Sequence, residues 1–290
     1  MKNLLVMLMA LCCLRAMAQK PDVAVGKAVY DFTHIRDTTH RDKPYTERLV
    51  LLVGRAASVY RSLDKQLAQD KMVADVMNQV KNASNPNALA LTIQGGPPTQ
   101  SEEYYQYIRD KKLYVEEQVM NYYLVEDALP AIKWSIKKDT MSFGALHCQM
   151  ATTHFKGRDY TAWFCPDLPF QNGPWKLNGL PGLILEASDS KKEVVFKFSG
   201  FENITTGDQT IAPAADDIKT NPTEIARLKE ARKKDPSGFA KASHGSGQAK
   251  RGSNGMDMVD PTKIVSINVK GYSGPIGKDI NNPIELPEGK

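Results

Sequence analysis

The segment LHCQMATTHFKGRDYTAWFC, residues 146–165, predicts a β-hairpin. Its two arms are rich in β-branched and aromatic residues, and the turn residues Lys-Gly-Arg lie between them. Comparable segments, separated by short turns, fill residues 113–199. Runs of this length favour an antiparallel meander over alternating helices and strands.

Further strands and a helix are predicted before this region. The segments AVYDFTH, RLVLLVG and SVYRS, between residues 28 and 62, have the composition of strands. Apolar side chains then repeat at helical spacing over residues 64–82, which places one apolar stripe on a helix. They are Val73, Val76, Met77 and Val80. We therefore predict a mainly β (α+β) fold, in which one or two helices cover a strongly curved antiparallel sheet.

The last third of the chain has a different composition. Asn221, Pro222 and Glu224 match an N-cap, a first-position proline and a capping-box partner, and they predict a second helix. Residues 236–260 are rich in Gly, Ser and Lys and have little to bury, so they predict a flexible insertion. A final strand is expected at residues 263–269.

The first 18 residues match a secretory signal peptide. Lys2 supplies the positive start, residues 4–14 the apolar run, and residues 16–18 a small-x-small cleavage pattern. The apolar run is shorter than the roughly 20 residues of a membrane-spanning helix, and no later segment approaches that length. We expect an exported protein, in the periplasm or cell envelope or secreted, whose residues 19–290 form one β-rich domain with no transmembrane segment.

Charge gives little support to a nucleic-acid partner. The full chain has 38 Lys and Arg against 33 Asp and Glu, a formal net charge of +5. Removal of a signal peptide that contains Lys2 and Arg15 leaves +3. An excess this small does not indicate binding to nucleic acid, which proteins attract with clustered positive charge.

The four cysteines form two pairs with different expected fates. Cys12 and Cys13 lie within the signal peptide, and neither follows the small residue that usually precedes a lipidated cysteine, so lipidation is not expected. The mature chain keeps Cys148 and Cys165. Export to an oxidising compartment favours a disulfide between them over a catalytic thiol.

The register of the hairpin decides whether that disulfide is easy to form. If Lys156 lies opposite Asp159, Met150 lies opposite Cys165, and Cys148 is two residues further along the same face. A bulge or a shifted register would then be needed for a bond. Two small buried residues or a reactive thiol are the alternatives, although no helix start or basic cluster lies nearby to lower a thiol pKa.

No catalytic or metal-binding pattern is visible. On one strand, His147 and His154 would point to opposite faces, and neither HxxxH nor CxxC spacing occurs in the chain. The nucleophile motif GxSxG is also absent from the sequence. Acidic residues are plentiful, but their spacing alone does not identify an acid/base pair. We therefore predict no catalytic residue, no metal site and no cofactor.

The sequence GPWKLNGLPGLILEASD, residues 173–189, has the chemistry of a tight corner. Residues 175–177 predict a short strand between two turns, and residues 180–183 fit a type II turn. Three residues fix the backbone: Gly179, Pro181 and Gly182. Leu180, Leu183 and Ile184 add apolar volume. This corner either feeds a strand into the core or forms the apolar lip of a ligand cavity.

On these residues the chain resembles the GLPGLI family of exported bacterial proteins. The resemblance covers most of the mature chain, and the hexapeptide at residues 179–184 is its most specific part. The other matching segments are AVYDF (28–32), RLVLLVGRAASVYRS (48–62), Trp134, FKGR (155–158), AWF (162–164), GPW (173–175) and NNPIEL (281–286). The family has no established biochemical role, so the resemblance assigns no catalytic residue. A weaker resemblance, to the half-open β-barrels of envelope lipoprotein carriers, concerns the fold alone.

The predicted function is a non-enzymatic cell-envelope protein that binds an apolar or peptide-like ligand or a partner protein. The alternatives are a structural or assembly factor that acts through an exposed edge strand, and a hydrolase whose site is not visible in the sequence. The candidate ligand or partner surface consists of six residues near the corner. They are Arg158, Trp163, Trp175, Leu180, Leu183 and Ile184.

Overall fold

The computed structural model describes residues 21–96, 99–119, 121–235, 238–239, 259–271 and 280–288. The predicted signal peptide and most of the predicted insertion at 236–260 lie outside the described residues, and both stay predictions. Neither helix in the described part of the chain is long and apolar enough to cross a membrane.

The described residues form sixteen strands and two helices. The strands are β1 (Asp22–Val23), β2 (Gly26–His34), β3 (Tyr45–Val53), β4 (Ser58–Ser62), β5 (Leu89–Gln94), β6 (Glu103–Tyr107), β7 (Lys112–Val119), β8 (Asn121–Ala128), β9 (Ser135–Phe143), β10 (Leu146–Phe155), β11 (Arg158–Cys165), β12 (Leu183–Asp189), β13 (Val194–Asn203), β14 (Thr210–Ile211), β15 (Ile218–Thr220) and β16 (Ile264–Lys270). The helices are α1 (Leu63–Lys81) and α2 (Pro222–Lys234), and a single 3-10 turn spans Pro261–Lys263.

Twelve strands form one large sheet in the order β15-β8-β7-β6-β4-β3-β2-β13-β12-β11-β10-β9. Only β15 and β8 are parallel neighbours in it. The rings of Phe143 in β9 and Phe198 in β13 approach to 5.7 Å, although three strands lie between β9 and β13. In a flat sheet those strands would be about 19 Å apart, so the sheet is strongly curved. The predicted mainly β fold with a curved sheet is confirmed.

Both helices cover the sheets, as expected, and α2 begins at the predicted cap, whereas no cap was predicted for α1, which begins after Ser62. Ser62 accepts a hydrogen bond from the Lys65 amide at the start of α1 (2.8 Å), and the Asn221 side chain caps α2. The α1 stripe buries Val76 against the separate two-stranded sheet of β5 and β16, and α1 also contacts β3. Ile225 of α2 packs against residues of β7 and β8.

The predicted meander is only partly correct. β7 pairs with β8, and β9 to β13 pair in chain order, but β8 and β9 lie near opposite ends of the sheet. The N-terminal strands β2, β3 and β4 fill the space between these halves, because β13 pairs with β2 along nine residue positions. Local strand patterns do not indicate pairing between strands that are distant in sequence. The pairing of β13 with β2 was therefore not predicted.

The register predicted for the β10–β11 hairpin is wrong by two residues, because Met150 pairs with Trp163 and not with Cys165. Phe155 pairs with Arg158, and the two residues between them both have positive φ, 52° for Lys156 and 70° for Gly157. This is a type I′ turn, which matches the twist of a hairpin. Lysine is not a typical left-handed residue, so the sequence did not indicate that the turn begins there.

The GLPGLI corner also differs from the predicted turns. The Leu183 amide donates to the Leu168 carbonyl (2.9 Å) and not to Leu180, while the Gly182 amide donates to Leu180 (2.8 Å) across Pro181. The corner is therefore a three-residue γ-type turn that is tied to a second loop, and not a type II turn. The predicted strand at 175–177 is also absent, because Trp175 has a φ of 56° in a turn closed by the bond from the Leu177 amide to the Pro174 carbonyl (3.1 Å).

Glycine at position 182 is required by close backbone approach. A Cβ atom there would lie 2.3 Å from the Cys165 carbonyl oxygen and 2.7 Å from the Pro166 nitrogen. Gly179 also has positive φ (90°), but a Cβ atom on it would meet no atom within 4 Å.

We predict that Gly182→Ala lowers the free energy of unfolding by at least about 3 kcal/mol, because two backbone segments would have to separate. Gly179→Ala is the matched control and should cost only the conformational penalty of about 1–2 kcal/mol. Chemical denaturation of both variants would measure this difference. Equal losses would show that the close approach at position 182 has no special role.

Candidate functional site

The structure buries five of the six candidate surface residues. Trp175, Leu180, Leu183 and Ile184 belong to the main hydrophobic core on one face of the large sheet. Arg158 is 4% exposed. The GLPGLI corner therefore fills the core and does not form an open lip. Trp163 is half-buried, so it is the member of the set that a ligand could reach directly.

Arg158 is the centre of a buried polar cluster. It is the first residue of β11, on the face that also buries Tyr160, Ala162 and Phe164. Each of its guanidinium nitrogens has a partner. The partners are the Ile284 carbonyl (from Nε, 3.0 Å), Asp189 Oδ2 (Nη1, 2.8 Å), Glu193 Oε2 (Nη1, 3.4 Å), Asn282 Oδ1 (Nη2, 2.6 Å) and the Pro283 carbonyl (Nη2, 2.8 Å). Five contacts match the five N–H groups of arginine, which leaves no donor for a ligand.

The two carboxylates come from the turn that joins β12 to β13. Asp189 Oδ1 accepts from the amides of Glu193 (2.7 Å) and Val194 (3.0 Å), so it shapes that turn as well as facing Arg158. Burial alone would raise the pKa of Glu193, but hydrogen bonds from Arg41, Arg158 and Asn282 hold it below the usual value. The buried charge of Arg158 is therefore balanced by the ionised carboxylate of Glu193.

His34, at the end of β2, completes the cluster. Its Nε2 lies 2.8 Å from the Asn282 carbonyl oxygen, which requires a proton on Nε2. Burial lowers the pKa of His34 to about 4, and the nearby charges of Arg36 and Arg158 act in the same direction. The ring is therefore neutral near pH 7, when a second positive charge beside Arg158 would be unfavourable.

Residues 280–288, which we call the strap, provide the other half of this cluster. The strap lies against turns of the large sheet but does not pair with the sheet as a strand. The amides of Asn281 and Asn282 both donate to the Arg36 carbonyl (3.1 Å each), and the Leu286 amide donates to the Lys156 carbonyl (3.0 Å). Sequence patterns singled out Arg158 and NNPIEL separately, but gave no sign that they meet.

A second feature is a groove on the opposite face of β11, β12 and β13. It encloses a cavity of about 160 Å³ that is lined in part by Trp163, Glu186, Lys192 and Lys197. β12 and β13 pair at Ala187–Phe196 and Ser188–Val195 and then separate. Burial raises the pKa of Glu186, although a hydrogen bond from the Phe198 amide acts against this rise. We call this feature the Trp163 groove.

A larger cavity, of about 290 Å³, lies where three loops meet. The loops are the β3–β4 turn, the β6–β7 turn and residues 169–172. Arg55 and Arg109 are among its lining residues, together with Phe170 and Asn172. None of the six candidate surface residues lines this cavity, although the β3–β4 turn belongs to the family-matching segment 48–62.

The histidines of β10 do not converge. His147 lies 3.1 Å from Asp167, whereas His154 lies 2.7 Å from Asp159 and 3.1 Å from Glu288 in the strap. Hydrogen bonds that the His154 ring donates to the carboxylates of Asp159 and Glu288 raise the pKa of this exposed histidine. Within the described ranges, no three His, Cys, Asp or Glu side chains are grouped as metal ligands.

The observed hairpin register brings the two cysteines closer than predicted. Gln149 pairs with Phe164, so the next position places Cys148 opposite Cys165. Both are buried and unbonded in the structure. Burial and the adjacent Cys165 raise the pKa of the Cys148 thiol to about 12, which argues against a reactive thiolate. The disulfide stays a prediction, but no bulge is needed to form it.

Comparisons with known proteins identify a short family match. Residues 152–186 match a family model described as "Protein of unknown function (Porph_ging)". This segment contains Arg158, Trp163, Cys165 and the GLPGLI corner. No curated protein matches the chain.

Two solved structures of PNGF-II, in the C2 and P21 space groups, are similar to part of the chain. Their TM-scores are 0.47 and 0.48, at 11% and 10% sequence identity. Each match covers 71% of this chain but only 32% or 33% of the PNGF-II chain.

We predict that protein recovered from an oxidising compartment contains the Cys148–Cys165 disulfide. The bond would close the loop from Cys148 to Cys165, 18 residues including both cysteines, and stabilise the fold by about 3 kcal/mol in the chain-entropy description. Thiol labelling after denaturation without reductant should then find no free thiol, and Cys148→Ala should unfold at lower denaturant concentration. Two reactive thiols per chain would contradict this.

We also predict that His34 makes stability depend on pH. Its pKa is about 4 in the folded chain and about 6.5 when unfolded, so between these values the unfolded state binds more protons. The stabilisation that His34 contributes is fully present above about pH 6.5. It decreases as the pH falls, by at most about 3 kcal/mol. His34→Gln keeps a donor but cannot titrate, so its unfolding free energy should fall less between pH 7 and 4.5. Parallel curves for the two proteins would exclude this role.

Proposed function

We propose that this protein is an exported, non-enzymatic member of the GLPGLI family that binds a peptide segment of a partner protein in the Trp163 groove. Export rests on the signal-peptide pattern, and family membership rests on the motif segments together with the match at residues 152–186. The observation that supports binding most is that the half-buried Trp163 lines a cavity, whereas the other apolar candidate residues are buried.

The size of the groove favours a peptide over a small molecule. Pockets for small molecules and cofactors usually enclose about 300–1,000 Å³. The Trp163 groove encloses about 160 Å³, which suits one side chain of a partner. Its ligand is therefore expected to be a protein segment that inserts one apolar or aromatic side chain while the remaining contacts lie outside the cavity.

The chemistry of the groove is consistent with peptide recognition. The Trp163 indole offers a large rigid apolar face, and tryptophan is enriched among residues that dominate binding energy. Lys192, Lys197 and Glu186 are among the lining residues, so charged groups border the apolar surface. Such a polar border around an apolar centre is typical of protein–protein interfaces.

Strand β9 offers a second candidate function, as an assembly factor that pairs with another strand. It is an edge of the large sheet, and Ile136 and Met141 are 48% and 38% exposed. However, Lys137, Lys138 and Asp139 lie between them. Charges in the middle of an edge strand are a common protection against pairing, so the Trp163 groove is the stronger candidate.

Site-specific photocrosslinking in the native envelope would separate these two functions. A photoreactive amino acid at position 163 should give a discrete adduct with one partner, whereas the same group at position 141 should give none. With the partner identified, Trp163→Ala should weaken its binding by roughly 30-fold or more, as for a central interface tryptophan. Met141→Ala is the matched control and should bind normally.

The opposite pattern, with adducts at position 141 and normal binding by Trp163→Ala, would contradict the groove and favour the edge strand. Turnover of a substrate by the purified protein would contradict the non-enzymatic assignment.

A further inference from the structure

We propose that the surface beneath the strap is a peptide-binding site, that the strap is its resident ligand, and that its ligand class is an acidic peptide containing Asn-Asn-Pro. This site is separate from the Trp163 groove. It is formed by the end of β2 with the residues after it, the β10–β11 turn and the β12–β13 turn.

The main chain of the strap is bound as a peptide ligand would be. The receptor surface donates to its carbonyls through Arg158, which reaches both Pro283 and Ile284, and through the ring of His34. It also accepts from strap amides through the carbonyls of Arg36 and Lys156. The surface therefore recognises the main chain of the strap without pairing with it as an added β-strand. These hydrogen bonds fix the position of the strap along the site.

The two asparagines give the site its sequence preference. Asn281 Oδ1 accepts from the Thr38 amide (2.9 Å), and its Nδ2 donates to Asp37 (2.8 Å). Asn282 is buried, and its Oδ1 accepts from Arg158 (2.6 Å) while its Nδ2 donates to the Ile35 carbonyl (2.7 Å). An amide is the side chain that can donate and accept at each position. Aspartate would lose the donor and face acidic neighbours.

Charge is complementary along the rest of the strap. Glu285 pairs with Lys156 (3.1 Å) and also with Lys176. Glu288 lies 3.1 Å from the ring of His154, and its carboxylate accepts from the Gly157 amide (3.2 Å). An acidic segment therefore lies on a surface that presents basic side chains and a backbone donor.

The β10–β11 turn is shaped to let the strap approach. A Cβ atom on Gly157 would lie 2.8 Å from Leu286 Cβ and 2.8 Å from the Pro287 carbonyl oxygen. The apolar side chains of the strap, Ile284 and Leu286, are half-buried, and Ile284 packs against the main core. The other contacts of the strap are polar, and polar complementarity contributes more to specificity than to affinity.

The test keeps the full chain and cuts it once. A protease recognition sequence inserted between residues 272 and 279 allows the strap to be separated from the folded protein. A fluorescent peptide with the sequence INNPIELPE is then added, and its binding is followed by anisotropy and native mass spectrometry. We expect saturable exchange of the cut strap for the labelled peptide.

Two comparisons test specificity. A peptide with Asp in place of Asn282 should bind at least roughly 30-fold more weakly, because a buried donor is lost next to acidic groups. Gly157→Ala should weaken binding of the wild-type peptide by roughly tenfold or more, because the added Cβ atom collides with Leu286. Gly144→Ala is the matched control, because Gly144 is also a turn glycine with positive φ (60°) but has nothing within 4 Å. It should bind the peptide normally.

The proposal is overturned if the cut protein stays folded and the labelled peptide never enters, since the strap would then be a fixed part of the structure. It is also overturned if the Asp peptide binds as well as the Asn peptide, or if Gly157→Ala and Gly144→Ala behave alike.

Discussion

The guanidinium of Arg158 is the point at which three distant parts of the chain meet. It uses all five N–H groups on the β12–β13 turn and on the strap, while its own position is fixed by the type I′ turn of the hairpin. A buried arginine is tolerated only when each donor has a partner and its charge is balanced. Removing any one of these segments would leave the charge or the carboxylates unsatisfied, so their positions depend on one another.

The hydrogen bonding of Arg158 also links the interior of the protein to its surface. The β12–β13 turn that carries Asp189 and Glu193 also carries Lys192, which borders the Trp163 groove on the opposite face of the sheet. The GLPGLI corner lies beside this region and allows Cys165 and Gly182 to approach backbone to backbone. Thus the corner is an element of architecture. Its contribution to binding is indirect, because it supports strands whose outer face carries Trp163.

Composition and periodicity predicted most of the strands, both helices and the Asn221 cap of α2, because those features depend on residues that are neighbours in sequence. Predictions from these patterns were wrong where the local structure depends on residues distant in sequence. The Gly182 turn depends on Leu168 and Cys165, and the split of the meander depends on the pairing of β13 with β2. The buried set of His34, Asp189, Glu193 and Asn282 was missed for the same reason. NNPIEL was visible as a motif, but only the fold shows that it reaches Arg158.

Hydrogen exchange on Arg158→Lys tests most directly whether the strap and the β12–β13 turn both depend on Arg158. Lysine keeps the charge, but its three donors cannot replace the five of arginine. We predict that the amides of Asn281, Asn282 and Leu286 in the strap, and those of Glu193 and Val194 in the turn, all exchange faster by roughly 100-fold, while amides of β3 keep their protection. Faster exchange in the strap alone, or in neither segment, would contradict the conclusion that Arg158 holds the two together.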